Sequence, residues 1–409
     1  MRCFNPGSSV ETAARHPRRR PTPAVYRRRR LAALLAAGVA SLILLVAIRS
    51  CGGEPALPLS AEEVREARLE AEPVELTLSF SGDLLIHTPL FARALELGGG
   101  ERYDFAPLLA EVRPYVEDAD LAFCHVETPM TPKPAASYPI FNTPPALSQA
   151  IAKTGWDACS TASNHVLDQG VEGVGETLKA LRRAGVKHTG SATSARAARR
   201  PLMLEADGIR VAFLAYTSDT NGIPVPEPYL VNLIDARRIV ADARRASRAG
   251  ADAVIVNMHW ASEIVGEYLT EPSAGQKRIV RRLVREPAIT AIVGQGPHIA
   301  QPIRRVAGKL AVFSEGNLIS NQGADFGLAP GSQDGYIALL DLVVDGEDAR
   351  VEGARYVPVW TSHSDYRVLP VGDALADAEA DEASLRASYE RTVDVVGRNP
   401  AEPVPRRLR

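Results

Sequence analysis

The stretch "DAVIVNMHW", residues 252–260, decides the predicted fold. An apolar run of strand length follows a segment of helical period, residues 235–248, that ends before Gly250. A helix followed by a buried strand is the repeating unit of α/β domains. The run ends at His259, and ligand sites in open α/β sheets gather where strands end.

The same pattern recurs on both sides of this stretch. A second helical segment covers residues 171–184 and ends before Gly185. We predict an α/β domain over residues 74–365, with helices covering the sheet faces. Residues 366–409 are expected to form a C-terminal helix and a loose tail. The other predicted strands are residues 74–80, 120–126, 157–162, 210–216, 289–293 and 309–314.

The first 30 residues carry a local excess of positive charge. They contain nine arginines against the single acidic residue Glu11, so the remaining chain has a net charge of about −10. A nucleic-acid-binding protein should carry its basic excess on the folded part. The charge distribution therefore argues against nucleic acid as a partner and leaves residues 1–30 as a basic tail.

An uninterrupted apolar run, "LAALLAAGVASLILLVAI", follows at residues 31–48. It is long enough to cross the hydrocarbon core of a membrane as a helix. The arginines at 27–30 predict a cytoplasmic N-terminus and an extracytoplasmic C-terminal domain, with residues 49–73 as a stalk. The chain is thus expected to be a single-pass cell-membrane protein. Cleavage of this segment as an export signal, including a twin-arginine signal, is the alternative, and lipidation of Cys51 stays open.

The four cysteines have no metal-binding spacing. Cys124 and Cys159 lie in neighbouring predicted strands and could pair in an oxidising compartment. Two isolated buried thiols are the favoured interpretation.

Five of the eight histidines fall close to predicted strand ends, together with carboxylates and an amide. Each residue alone has an ordinary explanation as a cap, a core histidine or a turn residue. Together they are the donors that a pair of divalent metals needs, because such ligands must arrive from several strands at once. The segments are "SGDLLIH" (Asp83, His87), "CHVET" (His125, Glu127), "SNHVLDQG" (Asn164, His165, Asp168), "VNMHW" (His259) and "GQGPH" (His298).

The ordered motifs "GD", "ETP", "SNHVLDQG", "MHW", "GPHIAQPI" and "FSEGNLIS" resemble the capsule-synthesis CapA family, which is associated with poly-γ-glutamate. That family is similar to the calcineurin-like metallophosphatases. The resemblance covers residues 74–359 and implies a layered α/β sandwich of two packed mixed β-sheets flanked by helices. It also implies one or two divalent metal ions, drawn from manganese, iron, zinc and magnesium.

Carried over residue by residue, the resemblance assigns Asp83 and His298 to the first metal, Glu127 as the bridge, and Asn164 and His259 to the second metal. Two positions depart from the metallophosphatase pattern. Leu85 stands where a histidine is usual, and His87 is the predicted substitute. Gln295 stands directly after Gly294 where another histidine is usual, and a carboxamide oxygen is a weaker transition-metal ligand than imidazole.

These residues support two hypotheses of function. In the first, the protein is a metal-dependent hydrolase that attacks a phosphoester, with His165 as general acid and Asp168 orienting it. In the second, it is a non-catalytic assembly subunit of a capsule polymer synthase or exporter. The expected partners are the membrane and either subunits of a capsule or polyglutamate synthase or the anionic polymer.

Overall fold

A computed structural model describes residues 72–260, 267–377 and 381–404. The predicted basic tail and transmembrane helix, and residues 49–71 of the predicted stalk, lie outside the described residues. Within the three described ranges, no helix combines the length and the apolar character needed to cross a membrane.

The strands and helices alternate along most of the chain. In chain order the strands are β1 Val74–Leu84, β2 Leu121–Val126, β3 Ala158–Ser160, β4 Lys187–Thr189, β5 Leu202–Ala206, β6 Ile209–Thr217, β7 Ala253–His259, β8 Ala291–Gln295, β9 Ile303–Val306, β10 Lys309–Val312, β11 Asn317–Ile319, β12 Asp334–Asp345, β13 Asp348–Thr361, β14 Val368–Pro370 and β15 Ala401–Pro403. The helices are α1 Thr88–Leu97, α2 Arg113–Glu117, α3 Leu147–Thr154, α4 Gly170–Arg183, α5 Ala195–Ala198, α6 Ala236–Arg248, α7 Ala274–Leu283, α8 Val371–Asp377 and α9 Glu382–Val396, with 3-10 turns at Ala106–Leu109, Ala324–Phe326 and Pro330–Gln333.

The described strands form two mixed sheets. The first has the order β14-β13-β12-β1-β2-β3-β4, with β11 beside β1 and β15 beside β13. The second has the order β5-β6-β7-β8-β10-β9. Strands β1 to β4 run parallel to one another, as do β6, β7 and β8. The carboxyl ends of each parallel set therefore lie at one edge of each sheet.

The two sheets pack face to face over a buried aromatic centre. The rings of Phe80 and Phe123 stack with centroids 4.9 Å apart, and Phe213 of the second sheet lies 4.5 Å from Phe123. All three side chains are buried in one cluster with other residues of both sheets. Alternate side chains of a strand point to opposite faces, so the other faces remain for the helices.

Helices cover both outer faces. Residues of α1, α3 and α4 are buried against the first sheet, and residues of α6 and α7 against the second. The predicted layered arrangement of two packed mixed sheets with helices outside is confirmed at this level. The helices contribute Leu90, Ile151 and Leu181 on one side and Ile239, Ala243, Val280 and Leu283 on the other.

The C-terminal region is more strongly paired than predicted. Strands β12 and β13 form a long hairpin that the sequence analysis did not assign, and β14 and β15 both pair with β13. Arg391 of α9 binds Asp334 of β12 through its Nε at 2.8 Å. The expectation of a loose tail is wrong for residues 401–404, because their backbone pairs with the sheet.

Cys124 and Cys159 form a disulfide, so the favoured interpretation of two isolated thiols is wrong. The two residues are register partners on the adjacent parallel strands β2 and β3, with Cα atoms 4.4 Å apart. Strand register brings them face to face, and register cannot be derived from the spacing of cysteines in sequence.

Candidate metal centre

The predicted ligands converge at the carboxyl ends of the parallel strands. Asp83 lies near the end of β1, His125 lies in β2, and Glu127 follows β2 directly. His259 is the last residue of β7, and His298 lies in the turn after β8. The first sheet thus supplies the carboxylates and one imidazole, and the second sheet supplies two imidazoles.

The Asp83 carboxylate stands at the middle of the site and is fully buried. Its Oδ1 lies 3.7 Å from His125 Nε2 and 3.6 Å from His259 Nδ1. Its Oδ2 lies 3.5 Å from His298 Nδ1 and accepts a hydrogen bond of 3.1 Å from the Gly296 N–H. The two oxygens therefore face different imidazoles.

An irregularity in β1 places this aspartate. The parallel register between β1 and β2 shifts between Phe80 and Asp83, and beyond the shift Asp83 stands opposite His125. A Cβ on Gly82 would lie 2.0 Å from the carbonyl oxygen of Gly316. Position 82 therefore has no room for a side chain, and glycine permits the close approach of the two backbones.

His298 is held in a left-handed backbone conformation, with φ of 57°. Its Nδ1 lies 3.0 Å from Oδ1 of Asn317. The Asn317 amide nitrogen donates to Ser332 O and to Gln322 Oε1, so its oxygen must be the group that faces His298. His298 therefore donates from Nδ1, and its Nε2 lies 3.7 Å from Glu127 Oε1.

His259 is oriented in a similar way by Asn164. Its Nε2 lies 2.9 Å from Oδ1 of Asn164, whose amide nitrogen donates to Oδ1 of Asn221 at 3.1 Å. The acceptor is an amide oxygen, so His259 donates from Nε2 and turns the Nδ1 lone pair to Asp83. In the structure, the predicted ligand Asn164 thus binds the His259 nitrogen that faces away from Asp83. The role of Asn164 as a metal ligand stays a prediction.

The charges of these groups depend on one another. Burial opposes ionisation of Asp83, but His259 and His298 outweigh it and hold the pKa of this carboxyl below its usual value. Burial raises the pKa of Glu127 well above its usual value, against the attraction of His298. Burial would lower the pKa of His298, but the charges of Glu127 and Asp83 raise it to about 10. A bound cation would compete with the protons of these groups, because metal ligands must be deprotonated.

His125 has the opposite character. It is fully buried, and burial, followed by the proximity of His259, lowers its pKa to about 3. Its ring stacks on that of His259 with centroids 4.7 Å apart. At neutral pH the imidazole of His125 is therefore uncharged, which is the form that binds metals.

The donor atoms of the site fit a divalent metal. Buried polar atoms are normally hydrogen-bonded, and unpaired ones call for an explanation. Two groups of residues each offer donor atoms within 4.8 Å of one another, and we call them the nitrogen-rich group (Asp83, His125, His259) and the oxygen-rich group (Asp83, Glu127, His298). Within these two groups, the buried atoms that lack a hydrogen-bond partner in the described part of the chain are Asp83 Oδ1, both ring nitrogens of His125, both carboxylate oxygens of Glu127 and His259 Nδ1.

The predicted general acid lies beside these groups. His165 Nδ1 is 2.7 Å from Oδ2 of Asp168, and the same oxygen accepts the N–H of Phe141 at 2.7 Å. The Phe141 ring stands edge-on to His165 with centroids 4.7 Å apart. The structure therefore brings His165 and Asp168 together as the sequence analysis expected, and their catalytic roles stay predictions.

The structure does not bring His87 into either group. Its Nδ1 accepts the N–H of Asn321 at 3.3 Å, and its ring stands edge-on to Phe141. Burial, followed by the proximity of His298, lowers its pKa to about 4. The imidazole that the structure adds to the site comes from His125 instead.

Gln295 is the register partner of His259 across β7 and β8, but its side chain is held by a residue that is not a predicted ligand. Its amide forms a reciprocal pair with Asn257 of β7, with hydrogen bonds of 2.9 and 3.0 Å, and it is fully buried. The amide nitrogen and the amide oxygen of Gln295 thus both have partners within the second sheet. Gln295 therefore supports the strand ends that carry His259 and His298.

The sequence analysis assigned no ligand role to three residues of the site. His125 precedes Glu127 by two positions, and this spacing in a strand puts both on one face, which was an available signal. Asn317 and Glu315 lie in the motif "FSEGNLIS", where the resemblance implies support of the site by Asn317 and gives no role for Glu315. Glu315 is fully buried, neither carboxylate oxygen has a hydrogen-bond partner, and burial, followed by the charge of Asp83, raises its pKa well above its usual value.

Comparison with known proteins identifies sequence relatives. The family described as "Bacterial capsule synthesis protein PGA_cap" matches residues 77–322. The "Capsule biosynthesis protein CapA" of Bacillus anthracis is 24% identical over 265 residues, which are 62% of this chain and 61% of that protein. The "PGA biosynthesis protein CapA" of Bacillus subtilis (strain 168) is 25% identical over 175 residues, which are 40% of this chain and 42% of that protein.

A "Probable polyglutamine synthesis accessory protein" of Mycobacterium tuberculosis is 30% identical over 176 residues, which are 40% of this chain and 45% of that protein. The matches to the three relatives thus span less than two thirds of each relative's length. Among solved structures, the calcineurin-like phosphoesterase YfkN of Bacillus subtilis has a TM-score of 0.43 and 13% identity, covering 79% of this chain and 98% of that one. That similarity is too low to support an argument about activity.

Proposed function

Because the chain belongs to the family of bacterial capsule synthesis proteins described as PGA_cap, we propose that it takes part in making, exporting or attaching an extracellular anionic polymer. The names of the relatives, which refer to capsule, PGA and polyglutamine synthesis, support this role. Poly-γ-glutamate, the polymer associated with the family that the sequence motifs resemble, is the polymer that we propose.

Within that role we propose a metal-dependent hydrolase that acts on a phosphoester. The observation that carries it is the buried set of unpaired metal donors on Asp83, His125, Glu127 and His259. A divalent ion bound there would act as a Lewis acid toward a phosphoryl oxygen. Water would supply the nucleophile: its oxygen would bond to phosphorus as the ester P–O bond breaks, and the leaving oxygen would take up a proton.

The proton for the leaving group would come from His165. Asp168 Oδ2 accepts from His165 Nδ1, which fixes the ring and leaves Nε2 to exchange a proton with a substrate oxygen. The edge of Phe141 restricts rotation of the same ring. Asp168 is thus a positioning residue, and His165 is the proposed proton donor.

We also propose that the folded domain works outside the cytoplasm, anchored by the apolar segment at residues 31–48. The sequence of that segment and the arginines in front of it support the anchor. A disulfide in the domain supports an oxidising compartment.

The experiment uses the full chain, purified in detergent, with bound metal measured per chain and hydrolysis of a phosphodiester and a phosphomonoester measured with added Mn²⁺. We expect bound metal and turnover, and we expect Glu127→Ala and His259→Ala to abolish both. His188→Ala, which alters a histidine outside the site, is the matched control and should keep both. A chain with neither metal nor turnover would rule the hydrolase out.

A non-catalytic assembly subunit is the second candidate function. The observation that favours it is the pairing of Gln295 with Asn257. Gln295 stands where the resemblance to the metallophosphatases implies a histidine ligand, and its amide is already engaged. It predicts metal binding without turnover, together with loss of surface polymer in cells that lack the protein. Restoration of polymer by His165→Ala would support this candidate over the hydrolase.

A further inference from the structure

We propose that His125 is a metal ligand, and that it makes the two sides of Asp83 chemically different metal sites. The proposal rests on the proposed metal centre and goes beyond it, since neither the ligand nor the difference follows from family membership. The nitrogen-rich group offers two imidazoles and one carboxylate oxygen. The oxygen-rich group offers two carboxylates and one imidazole.

The position of His125 supports this role. Its Cα is the register partner of Asp83 across β1 and β2, and its Nε2 lies 3.7 Å from Asp83 Oδ1. The ring stacks nearly parallel to that of His259, with an interplanar angle of 15°, and His259 Nδ1 lies 3.6 Å from the same carboxylate oxygen. His125 Nε2, His259 Nδ1 and Asp83 Oδ1 would thus supply three of the four ligands of a tetrahedral metal site.

A packing role alone does not explain His125. The side chain is fully buried, and neither ring nitrogen has a hydrogen-bond partner in the described part of the chain. An apolar residue of similar size would fill the space without burying unpaired polar atoms. Metal binding at Nε2 gives the nitrogen nearest to Asp83 a partner.

His125 also offers an imidazole at a site where two expected histidines are absent. The resemblance to the metallophosphatases implies imidazoles at positions 85 and 295, where this chain has a leucine and a glutamine that is engaged with Asn257. His125 restores one imidazole from the neighbouring strand. The imidazoles are then shared unequally, with two beside Asp83 Oδ1 and one beside Oδ2.

This inequality predicts metal preference. Imidazole ligands suit zinc and other late transition metals, whereas carboxylates suit manganese and magnesium. We expect the nitrogen-rich group to bind Zn²⁺ and the oxygen-rich group to bind Mn²⁺. The same chain should therefore hold two different metals when both are supplied.

The first test uses the unaltered full chain. Metals are removed with a chelator, one equivalent of Zn²⁺ is added, and the zinc environment is measured by X-ray absorption. Two imidazoles around the zinc are expected. One imidazole, or none, would overturn the proposal, and this result does not depend on the folding of any variant.

The second test measures Zn²⁺ and Mn²⁺ affinity separately in variants. His125→Asn should weaken Zn²⁺ binding by at least about 100-fold, because even the partners of metal ligands contribute 10- to 100-fold. It should leave Mn²⁺ binding unchanged, and Glu127→Gln should give the reverse pattern. His188→Asn is the matched control and should change neither affinity. Equal Zn²⁺ affinity in His125→Asn and His188→Asn would contradict the role of His125.

These measurements contain no substrate, so they separate the two proposals. A Zn²⁺ site that depends on His125 in a chain without hydrolytic activity supports the ligand and removes the proposed activity. Hydrolysis by a chain whose zinc site does not need His125 supports the proposed activity and removes the proposed role of His125.

Discussion

Two asparagines decide which nitrogen each imidazole can offer. Asn164 accepts from Nε2 of His259, and Asn317 accepts from Nδ1 of His298. Metal-binding histidines usually donate their second N–H to such a partner, which fixes the tautomer and the ring. At the scale of single residues, the site is therefore defined as much by these amides as by the residues that could touch a metal.

Glu315 gives a test of charge inside the site. Burial and the nearby Asp83 raise the pKa of Glu315 well above its ordinary value of 4.5, so the folded chain holds a proton that the unfolded chain releases. A carboxyl with a raised pKa contributes stability below pH 4.5 and loses it as pH rises towards its folded pKa. Glu315→Gln keeps the shape without the proton and should be more stable than the unaltered chain at neutral pH. The gain should grow by about 1.4 kcal/mol per pH unit from pH 4.5 up to the folded pKa of Glu315, and stay constant above it.

The measurement for Glu315→Gln is urea unfolding in chelator at a series of pH values. Glu205→Gln, at an exposed position of β5, is the control and should show no growing gain. A Glu315→Gln variant whose advantage stays constant with pH would mean that Glu315 is ionised in the folded chain.

The sequence could predict which residues approach the site, because strand ends are visible as apolar runs followed by polar residues. It could not rank His87 against His125. His87 lies beyond the end of β1, where the chain turns into α1, and its direction depends on the contact with Asn321, 234 residues away. The alternation of a strand, by contrast, fixed His125 on the same side as Glu127.

At the scale of elements, the parallel strands β1, β2, β7 and β8 carry the site, and all four were predicted from the sequence. The register between them could not be predicted. The shift in β1 before Asp83 depends on a close approach to Gly316 from another part of the chain. The β12 and β13 hairpin was also missed, although its pairing completes the first sheet.

The disulfide between β2 and β3 makes a prediction at this scale. It closes a loop with a sequence separation of 35 residues. Such a crosslink lowers the conformational entropy of the unfolded chain and should contribute about 3–4 kcal/mol to the free energy of unfolding. A variant with both Cys124→Ala and Cys159→Ala should lose stability by that amount in urea unfolding. Reductant should destabilise the unaltered chain similarly and leave the double variant unchanged, and an unaltered chain that ignores reductant would contradict this.

At the scale of the whole molecule, the candidate site lies where the two sheets meet. The first sheet supplies Asp83 and Glu127, and the second supplies His259 and His298. Below them, the sheets share a core that includes Phe123 and Phe213. A metal bound to groups from both sheets would therefore raise the free energy of unfolding of the entire domain.

This arrangement predicts that metal binding stabilises the fold as one unit. A ligand that binds only the folded state adds about 2.7 kcal/mol at 100 times its dissociation constant. Zn²⁺ or Mn²⁺ should raise the unfolding free energy of the chelator-treated chain by about that amount for each site filled, in a single transition. Asp83→Ala should abolish the effect of both metals, because Asp83 belongs to both groups. Asp345→Ala, at the exposed end of β12, is the control and should keep it. If added metal shifts one transition while a second remains unchanged, the two sheets unfold separately, and the site does not join them.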